Sequence, residues 1–209
     1  MVYLPPDILL DIVRRVGKSG FRELGPFIAS GPDGKAAVFS PEVLQEVDLD
    51  EFIFVSSLAN EGSPYRSFFM KCFAEGNITA TYVEGLRLAV KNGPSRNSLD
   101  LLHRAEDHIV YAAFAFAILM IVSGHFEEGM GCMMMLSDKV GWLDTMVDIA
   151  NIVMSQIADI EPPLSGNYVA TYRYPAGDVP ICIHFACHME NVCFDCIGYW
   201  YSRRVRNLC

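Results

Sequence analysis

Apolar and polar positions follow a helical period through most of this 209-residue chain. Near the start, "LPPDILLDIVRRV" can be wound at about 100° per residue. Asp7, Asp11, Arg14 and Arg15 then share one narrow face. Ile8, Leu9, Leu10, Ile12, Val13 and Val16 fill an arc of roughly 200°, about twice what a surface helix needs. Pro5 and Pro6 suit a first turn, where no backbone N–H is required, and Asp7 complements the positive end of the helix dipole. An arc this wide predicts a helix with one side in its own core and the other meeting a partner. The competing expectation is a helix clamped between two layers of its own protein, with few apolar residues of 4–16 left exposed.

Gly31, Pro32 and Gly34 predict a turn. "SPEVLQEVDL" then restores a helix, with Ser40 as N-cap, Pro41 at the first position and Glu42 beside the dipole. From residue 64 to about 157, apolar helices alternate with short breaks. "ITATYVEGLRLAVK" places Ile78, Tyr82, Gly85, Leu86, Ala89 and Val90 on one side, with Thr81, Glu84, Arg87 and Lys91 opposite. Gly85 and Ala89 would let another helix approach closely. "NGPSRNS" ends this helix, and Ser98 is the expected cap of the next. Ile109 to Val122 is apolar on every side, which predicts the most buried helix of a bundle. It is shorter than the about 20 residues that span a bilayer. Gly124 stops it, and "FEEGMGCMMML" and "WLDTMVDIANIVMSQI" make two more helices. Met130, Met133, Met134 and Met135 read as core at this spacing, and "YVATYRY" alternates like a short strand. The expected fold class is all-α.

Hydrophobic residues make up 52% of the chain and charged residues 20%, so core material is ample. The net charge of −9 argues against nucleic acid as a partner, since phosphate binding needs a basic face. Asp7 and Asp11 interrupt the first apolar run and the arginines follow it, unlike a secretory signal. Seven cysteines, an odd number, then point to reduced thiols or a metal. "NIT" at Asn77 to Thr79 fits the glycosylation pattern but means nothing in a chain that is not exported. No nucleophile–base pair, phosphate loop or paired carboxylates stand at usable spacing, so no catalytic residue is expected and the chain reads as a non-enzyme.

Four cysteines crowd the segment "CIHFACHMENVCFDCIGYW": Cys182, Cys187, Cys193 and Cys196. The spacing of Cys193 and Cys196 lets two thiolates reach one tetrahedral zinc; the four residues between Cys182 and Cys187 lie at the loose end of the range. Two readings stand side by side, a structural zinc and a set of buried apolar thiols.

"LPPDILLDIVRRVGKSGFRELGPFIAS" resembles the start of an F-box, with Leu4, Pro5, Asp7, Leu9, Ile12, Val16, Ser19 and Leu24 where that motif expects them. The resemblance implies a small three-helix unit that docks on the Skp-type adaptor of a cullin ubiquitin ligase through Leu4, Pro5, Ile8, Leu9, Ile12, Val16 and Leu24. "AEGNITATYVEGLRLAV" and "AEDHIVYAAFAFAILMIV" lie about 31 residues apart, close to the period of tetratricopeptide-type helix pairs. The stretch from "LLHRAEDHIV" to "GCMMML" looks like the Sel-like variety. Together these features resemble plant F-box proteins with a tetratricopeptide-like second domain. The resemblance implies an F-box-like unit over 1–50, an antiparallel helical array over 58–160, and an irregular Cys-rich segment over 161–209. It implies a substrate receptor of an SCF-type ligase, in the cytoplasm or nucleus, with an unidentified protein as substrate and neither nucleic acid nor membrane as partner. The alternative is a helical-repeat interaction scaffold with a degenerate F-box, no ligase link and a possible structural zinc.

Overall fold

The computed structural model describes residues 4–182 and 193–209. Among the described residues there are twelve α-helices and no strand. The chain divides into two compact units, Met1–Val83 and Glu84–Cys209.

The first unit holds α1 (Pro6–Gly17), α2 (Gly25–Ala29), α3 (Pro32–Val38), α4 (Pro41–Glu46), α5 (Asp50–Phe54) and α6 (Arg66–Ala74). Helix α1 starts as its prolines dictate, with Pro5 at the N-cap, Asp7 in the first turn and Arg14 and Arg15 in the last. Asp11 sits 3.5 Å from Arg14 and 3.0 Å from Arg15, a polar face stapled to itself. On the other side Val13 and Gly17 are buried, and α1 packs on α3 and α4. Phe52 joins the core of this unit, its ring 5.0 Å from those of both Phe21 and Phe69.

The turn expected at Gly31, Pro32 and Gly34 is instead the beginning of α3. Pro32 occupies the first helical turn, where its missing N–H costs nothing, and Asp33 follows it at the positive end of the dipole. Gly34 is there for space: a Cβ would lie 2.3 Å from the carbonyl oxygen of Phe27. Asn77, first residue of the glycosylation pattern, is buried. Its amide nitrogen donates to the carbonyls of Leu44, Gln45 and Val47, and its side-chain oxygen accepts from the N–H of Ala80. One side chain thus satisfies orphan groups at the end of α4 and at the start of α7 (Ile78–Asn92).

The second unit holds α8 (Arg96–Glu106), α9 (Val110–Val122), α10 (Phe126–Val140), α11 (Leu143–Asp159) and α12 (Phe194–Leu208). Helix α9 is its centre and packs against α8, α10, α11 and α12. Nine of its thirteen residues are buried, as an all-round apolar helix requires. The close approach expected at Gly85 is made by α8, whose Leu101 and Leu102 would crowd a Cβ there at 2.9 and 3.3 Å.

Three local expectations are corrected in this unit, and one polar helix face proves to be buried. The cap of α8 is Ser95 and not Ser98: the Ser95 Oγ accepts the Ser98 N–H at 3.1 Å. Ser95→Ala is expected to lower stability by about 1 kcal/mol, measured as a lower denaturant midpoint at unchanged slope. The polar side of α7 is not solvated, because Glu84 and Arg87 are 4% and 8% exposed and paired through two hydrogen bonds. Of Met130, Met133, Met134 and Met135 only Met133 is core; Met130 is half-buried, and Met134 and Met135 are exposed. Finally, Tyr168 to Thr171 forms turns, with the Val169 N–H donating to Gly166 and the Tyr172 N–H to Tyr168. Alternation there serves packing instead of a sheet: Tyr168 is buried and donates to the Ala89 carbonyl, and Thr171 donates to the Val122 carbonyl.

Candidate functional site

Two places bring together residues singled out from the sequence. The first is the outer side of α1. Leu4, Ile8 and Ile12 recur every four residues and are 46%, 50% and 37% exposed. A spacing of four keeps Ile8 and Ile12 on one face of α1, and Leu4, just ahead of the N-cap Pro5, adds a third exposed apolar side chain at the helix entrance, so the apolar stripe is these two with Leu4 before them. Pro5 is exposed beside them, and Leu9, Leu10 and Val16 are half-buried along the edge where α1 turns toward its own unit. A groove of about 290 Å³ runs next to this stripe, lined by Leu4, Leu9, Leu10, Ala36 and Ala37 with Asp7, Asp33 and Ser40. Leu24 does not belong to the face. It is 1% exposed and lies, with Val47, against Gly17 of α1. It is core because the 3₁₀ turn Phe21–Leu24 folds its apolar residues back under the helix.

The second place is the start of α12. Cys193 is the N-cap of that helix, and its Sγ accepts the N–H of Cys196 at 3.4 Å. The Cys-x-x-Cys spacing therefore puts one thiol at the helix entrance and the other in the first turn, with their sulfurs 3.0 Å apart. Cys182 arrives from a separate segment, its sulfur 3.7 Å from that of Cys193 and 2.7 Å from that of Cys196. The three sulfurs lie within 4.8 Å of one another and could hold a metal ion. Cys187, the fourth residue of the sequence reading, lies outside the described residues.

Among protein-family models, curated proteins and solved structures, none matches this chain.

The environment of the cluster sets it apart from the other thiols. Burial pushes Cys193 up, but hydrogen bonds from the Cys196 thiol, the Cys196 N–H and the Cys182 thiol outweigh it and hold the group below the usual thiol value. Burial alone drives Cys72 and Cys209 up to about 12, which leaves them as inert core thiols. The cluster opens on a groove of about 570 Å³ shared with Phe126, Met130, Tyr174, Asp178 and Asp195. Sequence reasoning grouped Cys182 with Cys193 and Cys196 but did not connect Tyr174 with α10 and α12. The aromatic spacing around Tyr174 was the available signal, since Tyr174 stands edge-on to Phe126 and Tyr199 with centroids 4.7 and 5.1 Å apart.

Proposed function

We propose that this chain is a non-catalytic adaptor, the F-box substrate-recognition subunit of an SCF-type cullin ubiquitin ligase. In this reading α1 docks on a Skp-type adaptor, the helical repeats over 58–160 hold a protein substrate, and the ubiquitin-transfer chemistry belongs to other subunits. The observation that carries the reading is the stripe of Ile8 and Ile12 on one face of α1 with Leu4 at its entrance, three large aliphatic side chains left in water. Covering each is worth about 1.5–3 kcal/mol when burial is complete. A partner with an apolar groove supplies that cover, and the helix-in-groove mode is how an amphipathic helix is usually recognised. The likeness of residues 4–30 to an F-box names the partner.

The test is a binding titration of the full chain against a purified Skp-type adaptor. Ile8→Asp and Ile12→Asp are each expected to weaken binding by about 2 kcal/mol or more, roughly thirtyfold. Both residues are exposed, so thermal stability should hardly move. An adaptor that binds neither the parent chain nor the variants sinks the reading.

A second reading, a helical interaction scaffold with a structural zinc and no ligase link, is favoured by the burial of Leu24 and the half-burial of Leu9, Leu10 and Val16. These reduce the docking face to a narrow stripe. The same titration separates the two.

A further inference from the structure

We propose that Cys182, Cys193 and Cys196 bind one zinc ion, which clasps the start of α12 to the stretch that follows the 3₁₀ turn Ala176–Asp178. Such a clasp is independent of the ligase reading and supplies the ligands for the zinc of the scaffold reading, and failure of the adaptor titration leaves it standing.

The ligand set is three thiols and no hard donor, and soft thiolates select zinc and other thiophilic ions over magnesium or calcium. Each thiol is placed by an independent device. Helix geometry sets Cys193 at the cap and Cys196 one turn in. Aromatic packing of Tyr174 on Phe126 and Tyr199 holds the approach to Cys182. Gly198 allows α12 to sit close to α10, since a Cβ there would fall 2.8 Å from the Met130 sulfur. Three apolar thiols packed only for their volume have no reason to turn their sulfurs toward one point. The remaining described cysteines do not do so: Cys72, Cys132 and Cys209 join no such group.

The fit is quantitative. A zinc–sulfur bond of about 2.3 Å in a tetrahedron sets sulfurs about 3.8 Å apart. Cys182 and Cys193 are already at 3.7 Å. The other two pairs, at 2.7 and 3.0 Å, need to open by about 1 Å, a side-chain torsion adjustment open to the half-buried Cys182 and Cys193 against the buried Cys196. Binding releases up to three protons to solvent, one from each thiol, and the ion remains divalent, so no oxidant or reductant takes part. The role is structural. Ile197, Tyr201 and Val205 of α12 are buried, and fixing the first turn of that helix fixes their seating on α9 and α11.

Cobalt titration of the full-length, metal-free chain under reducing conditions tests the site. Thiolate-to-cobalt charge-transfer absorption with the strong visible bands of a tetrahedral ion is expected, saturating at one equivalent and abolished by zinc. Cys193→Ser and Cys196→Ser should each weaken cobalt binding at least ~100-fold, while Cys72→Ser and Cys132→Ser leave it unchanged. The titration of the parent chain stands even where a variant fails to fold. Adding a chelator to zinc-loaded protein should lower its thermal midpoint. Absence of the charge-transfer absorption, retention of it in both serine variants, or a two-hydrogen mass loss locating a disulfide among these cysteines in freshly reduced protein would overturn the assignment.

Discussion

Arg87→Ala is expected to destabilise the chain by about 3–5 kcal/mol. Arg87 and Glu84 lie one turn apart on α7, with Arg87 Nε donating to Glu84 Oε2 at 3.0 Å and its terminal nitrogen to Oε1 at 2.8 Å. Both side chains are almost removed from water, at 10% and 5% exposure. On an open helix surface such a pair is worth only a few tenths of a kcal/mol. Burial changes the sum, because removing one charge takes two hydrogen bonds and an ion pair from the other while that group stays desolvated. Replacing both, as in Glu84→Leu with Arg87→Met, should be far milder than either single change, since the desolvation cost leaves together with the attraction.

The two single variants should also differ in their response to pH. In Arg87→Ala the buried carboxyl has lost its guanidinium and gains from taking up a proton. A group that binds protons more tightly folded than unfolded stabilises the fold at low pH and loses that contribution as pH rises. The deficit of Arg87→Ala should therefore shrink between pH 8 and pH 5.5. Glu84→Ala leaves a guanidinium that cannot give up its proton, so its deficit should stay level. Denaturant unfolding of both variants at the two pH values checks this. Equal deficits at every pH would show that the carboxyl is balanced by other groups.

How this pair was missed shows where sequence reading stops. Periodicity sorted α7 into an apolar and a polar side, and a polar side need not be solvated. Tertiary structure covers Glu84 and Arg87 as well, and nothing in a local window reports that. Helix α9 was legible because a run apolar on every side has only the interior to go to. Helix α1 was legible for the opposite reason, its arc being too wide for one neighbour, although which residues end up inside depended on Leu24 and Val47 meeting Gly17. At α3 two local rules conflicted. Glycine spacing read as a turn, while proline followed by aspartate is a helix start, and the second prevailed because Gly34 was required for close packing on Phe27.

The candidate sites divide the same way. The spacing of Cys193 and Cys196 is local and was readable. Cys182 was grouped with them on proximity along the chain, and its sulfur does lie beside theirs; the packing of Tyr174 on Phe126 at the same groove has no signature in spacing alone. Met134 and Met135 were placed in the core on helical phase, yet only Met133 faces α9, because the tight contact at Gly129 fixes the rotation of α10.

That contact yields a second large effect, with opposite signs two residues apart. Gly129→Ala should destabilise the chain by up to about 2 kcal/mol net, and Gly131→Ala should stabilise it by about 0.5–1 kcal/mol. A Cβ at Gly129 would lie 2.6 Å from Ile121 Cγ1, 2.7 Å from the Ala117 carbonyl oxygen and 2.9 Å from the Ile121 nitrogen. The side-chain atom can rotate away; the two backbone atoms belong to the second half of α9 and can yield only if the helices separate. Overpacking of this kind costs about 1–3 kcal/mol, and occasionally more. The gain in helix propensity from glycine to alanine, about 1 kcal/mol, offsets part of it. At Gly131 nothing lies within 4 Å of the added carbon, so only the propensity gain remains. Both variants sit in α10, share its secondary structure and change composition identically, so the difference between their unfolding midpoints isolates the helix crossing. A Gly129→Ala variant as stable as its Gly131→Ala counterpart would mean that α9 and α10 do not meet at this glycine.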